Sequence, residues 1–174
     1  VTADSKPAVR VAGQADVARI VAITNAAFLV ETFMEGDRTN PGRVMELMGQ
    51  GAFLVAESDG AVVASVYTEI RALRGYFGML AVDPALKGRG WGRLMIDAAE
   101  ERFREHGCRG VDIIVLSLRE DLPPYYAKLG YRETRREPFK PDRAVKDGFE
   151  CQALILSKDL LDGTRAVRHR SCLL

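Results

Sequence analysis

Apolar positions along the chain recur at two periods, and the switches between them outline the elements. Residues 8–12 (AVRVA) alternate and predict a first strand. Val17, Ile20, Val21, Ile23 and Thr24 then fall on one helical face that runs to about Phe28, with Asp16 or Gln14 in the first turn. A polar stretch over 29–40 is interrupted by Gly36. Asn40-Pro41 predicts an N-cap with proline at the first helical position, and Val44, Leu47 and Met48 a short second helix ended by Gly49 or Gly51. The runs 52–58 and 61–70 flank Asp59-Gly60, a strong hairpin signal. A further run, Tyr76 to Val82, completes an antiparallel meander. Its alternating sets, Tyr76, Gly78, Leu80, Val82 and Phe77, Met79, Ala81, are both apolar, which predicts a central strand covered on two faces.

From about Trp91 to His106 the period returns to helical. Trp91, Leu94, Met95, Ala98, Ala99, Arg102 and Phe103 mark the expected buried stripe, Glu100 and Arg104 an outer pair, and Gly107 the C-cap. Val111 to Leu116 is the next strand. A strand, a long helix and a strand make a crossover, so these two strands are expected to be parallel and right-handed. Asp121 opens a short helix that ends at Gly130, and 131–136 and 149–156 predict a final hairpin around a long charged loop. The whole of 1–174 is expected to be one domain, with its core over about 8–157 and a basic tail over 158–174 whose last ten residues are loose.

The chemistry concentrates between Met79 and Met95, MLAVDPALKGRGWGRLM. Gly88, Gly90 and Gly92 meet Lys87, Arg89 and Arg93 at the start of a helix. The first N–H groups of a helix have no internal partner, the helix dipole adds partial positive charge, and glycine admits an anion close to the backbone. A Walker A loop would need Lys-Ser/Thr after the last glycine, but Arg93-Leu94 follows. A dinucleotide fingerprint would need a glycine where Arg93 stands. A strand-to-helix turn that binds nothing is the remaining alternative.

Composition narrows the setting. Hydrophobic residues make up 47% and charged residues 28%, as in ordinary globular proteins, and the net charge of +1 gives no general attraction to nucleic acid or anionic membranes. Cys108, Cys151 and Cys172 are widely spaced and read as reduced thiols, so a cytoplasmic setting is expected. No Cys/His pairing has metal-ligand spacing, so no metal is expected. The opening VTADSKPAVR has no apolar core of a secretory signal, and no apolar run approaches the roughly 20 residues that span a bilayer.

Lys87-Gly88-Arg89-Gly90-Trp91-Gly92, following Leu80-Ala81-Val82-Asp83-Pro84, resembles the acyl-CoA pyrophosphate loop of the GNAT N-acyltransferase family. A second segment, Tyr126-Ala127-Lys128-Leu129-Gly130-Tyr131, resembles that family's Y-x-K-x-G-F/Y motif at the expected distance. The likeness covers about residues 8 to 157. It departs at Lys87, where the family usually has Gln or Arg, and at Arg119, where many members carry an Asn seven residues before the tyrosine. The resemblance implies an α/β (α+β) GNAT fold: a mixed, mostly antiparallel sheet of about seven strands, flanked by about four helices, with two central parallel strands splayed. It also implies acetyl-CoA as co-substrate and an amine acceptor, either a small molecule or a peptide, and admits a homodimer.

On that reading the loop from Lys87 to Arg93, with Trp91, binds the cofactor, the amides of Gly88, Arg89, Gly90, Gly92 and Arg93 anchoring the pyrophosphate, and Leu80, Ala81 and Val82 pair with the pantetheine arm as an added strand would. The amide of Leu80 or Val82 is a candidate oxyanion donor. Tyr126 is the candidate general acid, since a phenol can protonate a developing thiolate, with Tyr125 its neighbour and Tyr131 expected to pack. Glu69 is the candidate general base. Glu31 and Glu35 are further acids in the loop that covers the acceptor in this family, and for all three solvated surface charge is the plain alternative. A water chain could replace any of them. His106 ends a helix and His169 lies in the tail, so neither is placed for catalysis, and no cysteine has a positioned base for a ping-pong route. Two other classes remain: a non-catalytic acyl-CoA-binding regulatory module, and a nucleic-acid or partner-binding domain using Arg165, Arg168 and Arg170.

Overall fold

The structure is a computed structural model that describes residues 8–140 and 143–160. Among the described residues, seven strands form one sheet in the order β1-β2-β3-β4-β5-β7-β6. The strands are β1 (Ala8–Val11), β2 (Ala52–Ser58), β3 (Ala61–Arg71), β4 (Arg74–Val82), β5 (Gly110–Leu116), β6 (Arg132–Pro138) and β7 (Gln152–Asp159). The α-helices that flank it among the described residues are α1 (Val17–Ala27), α2 (Pro41–Gln50), α3 (Trp91–Glu105) and α4 (Leu122–Ala127). All pairings are antiparallel except β4 with β5, as the crossover predicts.

Local chemistry sets the element ends. Asn40 accepts the Arg43 amide proton at 3.0 Å ahead of Pro41, so the second helix starts on its predicted cap. Asp59 and Gly60 both adopt positive φ, which gives the β2–β3 turn the twist a tight hairpin requires. Asp16 accepts from the Gly13 amide at 2.7 Å and holds Arg10, bracing the entry to α1.

Two apolar layers sandwich the sheet. One lies under α1 and α2 and includes Ile20, Val44, Phe53 and Tyr67. The other lies under α3 and α4 and includes Phe77, Met95, Phe103 and Val111. The alternation expected for β4 fails halfway along. Met79 and Leu80 together oppose the single residue Val66, and Met79 takes φ of 51°. The extra residue reverses the sidedness: Tyr76, Met79 and Ala81 face α1 and α2, while Phe77, Leu80 and Val82 face α3.

Three other expectations change. The buried face of α3 includes Ile96 and Glu100. Glu100 pairs with Arg104 at 3.1 Å as expected, but not on the outer surface: its carboxylate is buried, accepts from the Tyr131 hydroxyl at 2.9 Å and also pairs with Lys158 at 2.8 Å. β7 extends to Asp159, so Lys158 belongs to the sheet and not to the tail. The rest of that tail, with Arg165, Arg168, His169, Arg170 and Cys172, lies outside the described residues. No helix among the described residues is long and apolar enough to cross a membrane.

Candidate active site

The parallel pair is short. Arg74, Gly75 and Tyr76 lie beside Gly110, Val111 and Asp112, and beyond them β4 pairs only with β3 and β5 only with β7. The two strands therefore splay, and one edge of β4 from Phe77 to Val82 faces a gap. Asp83 donates its amide to Val63 O at 2.8 Å, toward β3. Strand alternation then turns the amides of Val82 and Leu80 toward the gap, while that of Ala81 faces β3. The bulge at Met79 re-aims the backbone midway along this edge.

At the wide end of the gap the chain makes a glycine-rich turn into α3. Arg19 of α1 pins the turn by donating to Asp83 at 2.7 Å and to Val62 O at 2.9 Å, and Asp83 caps Ala85. Gly88 and Gly90 have φ of 81° and 85°, a region open to glycine at little cost, and Gly90 leads directly into α3. The first helical bond is Leu94 N–H to Gly90 O at 3.0 Å. Among the described residues the amides from Gly88 to Arg93 meet no backbone acceptor. Lys87 and Arg89 are exposed and make no ion pair among the described residues, whereas the Arg93 guanidinium is engaged by Asp97 at 2.9 Å. Trp91 packs half-buried against the core and orients the helix start.

Tyr126 comes from α4 on the other wall of the gap. Its ring lies among Phe77, Tyr125 and Tyr131, with centroids 6.3, 5.3 and 5.6 Å away. The residue is buried, and its hydroxyl has no hydrogen-bond partner among the described residues. Burial pushes the phenol well above its ordinary value, and the nearby Arg119 offsets part of that. Tyr125 is more exposed, with its hydroxyl beside Gly92. Tyr131 packs, as expected.

Glu69 lies on the α1/α2 side of β3, opposite Tyr76. It is not a free surface charge: Arg71 donates to both of its oxygens at 2.9 Å, and Tyr67 donates at 3.2 Å. The Arg71 hydrogen bonds hold its pKa below the usual carboxylate range. Glu31 is not a solvated charge either. It is buried, with Arg143 closing on one oxygen and Arg119 3.8 Å from the other. Arg119 in turn grips Asp121 at 2.9 and 3.0 Å. Glu35 remains exposed. His106 turns its ring back onto Arg102 O, away from any catalytic arrangement.

Sequence reasoning missed two parts of this site. One is the bulge at Met79, which leaves no residue signal because methionine rarely adopts positive φ. The other is Tyr76, whose hydroxyl lies 2.6 Å from where a Cβ on Gly78 would stand. A tyrosine two positions before a glycine in a strand is a signal that was present in the chain. No group of three His, Cys, Asp or Glu among the described residues could hold a metal ion.

A splayed parallel pair, a glycine-rich turn into the following helix and a buried tyrosine on α4 are the features gathered around the gap. The profile of the acetyltransferase (GNAT) family matches residues 20–131, and the chain belongs to that family. An acetyltransferase of Yersinia enterocolitica is 35% identical over 79 residues, which is 45% of this chain and 56% of that protein. The chain spans about half the length of the curated relatives it matches. Among solved structures, the ribosomal-protein-S18-alanine N-acetyltransferase of Escherichia coli superposes with a TM-score of 0.73 at 14% identity, covering 93% of this chain and 99% of that one. The yncA protein of Salmonella typhimurium, whose structure contains its cofactor acetyl-CoA, gives 0.69 at 22% identity over 92% and 97%. At these identities the solved structures establish the fold.

Proposed function

We propose that this chain is an N-acetyltransferase that moves an acetyl group from acetyl-CoA to a primary amine by direct attack. The observation that carries the proposal is Tyr126, whose ring is buried beside Phe77 of β4 and whose hydroxyl has no hydrogen-bond partner among the described residues.

In this reading the amides from Gly88 to Arg93 receive the pyrophosphate, with Lys87 and Arg89 adding charge. The edge amides and carbonyls of Leu80 and Val82 pair with the pantetheine amides, and Ala81 fixes their sidedness from the β3 ladder. One edge N–H meets the thioester carbonyl as it becomes an oxyanion, which is worth about 3–4 kcal/mol of barrier. The neutral amine adds to the carbonyl carbon and the carbon–sulfur bond breaks. The leaving sulfur takes the Tyr126 proton, and nitrogen releases its own proton through water. Glu69, held ionised by Arg71, draws the ammonium to the acceptor side and takes up that proton through water; its lowered pKa makes it a weak base, so water carries the relay.

The test is release of CoA thiol from acetyl-CoA across a panel of amines, with Tyr126→Phe alongside. Loss of about 100-fold in kcat with an unchanged acetyl-CoA affinity is expected. A variant that turns over at the parent rate removes Tyr126 from the acid role. A chain that binds acetyl-CoA but acetylates no amine is a binding module instead.

A further inference from the structure

The acceptor side of the gap has a composition that selects among amines. Tyr76 is the last residue of β4 paired to β5, and it lies opposite Asp112. Two positions further on, Gly78 and Ile114 are therefore on the same face, on opposite sides of the splayed opening. That face is the one α1 and α2 cover, since Tyr76 packs with their layer and Ile113 and Val115 pack with the other. The two helices stop short of β5. Ile114 consequently stands 47% exposed in the middle of a central strand, beside Ile155 of β7. A large apolar side chain in that position usually has a cover. Across the opening Gly78 leaves room for the Tyr76 phenol, which lies over it.

The charges around this mouth are already engaged. Glu31 holds Arg143, Glu69 is gripped by both arms of Arg71, and Asp112 takes Arg74 at 2.6 and 2.7 Å together with the Ser157 hydroxyl. Each additional positive charge on an acceptor would need a carboxylate of its own once water is excluded. Glu35 and Asp37 in the 28–39 loop are exposed, where water screens them. The same pairings occupy the guanidiniums, so an acceptor carboxylate meets no open arginine among them.

Resting on the acetyltransferase reading above, we infer that the acceptor is a monoamine carried on an apolar, aromatic body: the ring lies against Ile114 and the Tyr76 edge of the opening, and the single nitrogen reaches into the gap. Diamines, aminoglycosides and free amino acids are the excluded classes.

The experiment compares kcat/KM for 2-phenylethylamine, putrescine, kanamycin and phenylalanine by thiol release, using the full chain, Ile114→Ala and Ile114→Asp. The parent is expected to prefer 2-phenylethylamine by at least tenfold over each of the others. Ile114→Ala should raise KM for 2-phenylethylamine several-fold and leave kcat in place. Ile114→Asp should lower kcat/KM for 2-phenylethylamine at least tenfold and raise it for putrescine; if that variant does not fold, the KM effect of Ile114→Ala carries the test. Preference for putrescine, kanamycin or phenylalanine, Ile114 variants indistinguishable from the parent, or turnover of none of the four overturns the inference. An acetyl-CoA-induced rise in melting temperature separates the two levels. If it persists while 2-phenylethylamine fails, only the acceptor class falls. If it is absent, the acetyltransferase reading falls with it.

Discussion

The guanidinium of Arg143 closes on the buried carboxylate of Glu31, 112 residues earlier in the chain, and also donates to Gly36 O at 3.3 Å. Around this contact Met34 bridges Val145, Lys146 donates its amide to Phe33 O at 2.9 Å, and its ammonium donates to Thr32 O at 2.7 Å. The loop after α1 and the loop before β7 thus form one layer, tied through Arg119 to the turn that leads into α4.

Arg143→Met leaves Glu31 buried with only the more distant Arg119, so a stability loss of about 3 kcal/mol is expected. Urea denaturation measures it. A change below about 0.5 kcal/mol would mean that Glu31 is rehydrated, and the two loops would then not be a cooperative layer.

Gly90→Ala forces a Cβ into φ of 85°, which costs about 1–2 kcal/mol. Weaker acetyl-CoA binding by about tenfold is expected as the start of α3 shifts. Gly92→Ala is the contrast, since its Cβ would meet only ordinary contacts at 3.9 Å from Val82 and the Tyr125 hydroxyl. Its melting temperature should stay at the parent value; a drop as large as that of Gly90→Ala would contradict the conformational argument.

A general acid must be protonated, and its contribution fades as pH rises through its pKa. Burial raises that of Tyr126 above the ordinary value near 10. The pH profile of kcat/KM is therefore expected to climb as the amine is deprotonated and to show no fall assignable to the phenol below about pH 10. A Tyr126-dependent fall between pH 7 and 9 would place the acid elsewhere.

Burial pushes the Asp112 carboxyl up, but hydrogen bonds from Arg74 and Ser157 outweigh it and the net shift is downward. A depressed folded-state pKa contributes stability that is complete above the unfolded value near 4 and lost as pH falls through the folded one. Asp112→Asn should therefore lower stability by about 1–2 kcal/mol at pH 7 and flatten the pH dependence of unfolding below about pH 4. Equal acid sensitivity in parent and variant would show that the closed end of the gap is held by other contacts.

Much of the site could be read along the chain because its determinants are local. The glycine cradle needs only Gly88 and Gly90 before a helical run, the Asn40 cap needs a neighbour three residues away, and the parallel pairing of β4 and β5 follows from the length of the crossover between them. Tyr126 was legible through its spacing to Gly130 and Tyr131. The carboxylates were not. Glu100 read as an outer-face charge paired with Arg104, and for Glu31 and Glu69 a solvated surface charge stood beside a role in the site; the structure adds cations that a linear reading does not pair with them: Arg143 at 112 residues for Glu31, Lys158 at 58 for Glu100 beside Arg104, and Arg71 across two positions of one strand for Glu69.

The chain by itself determined the order and type of the elements, the turn chemistry and the glycine turn into α3, since these depend on propensities and spacings within a few residues. Only the tertiary structure decided where β4 parts from β5, which way each half of β4 faces, and which charges are neutralised. Those outcomes depend on a one-residue bulge at Met79 and on pairings between distant segments, and a period-two pattern carries no record of either.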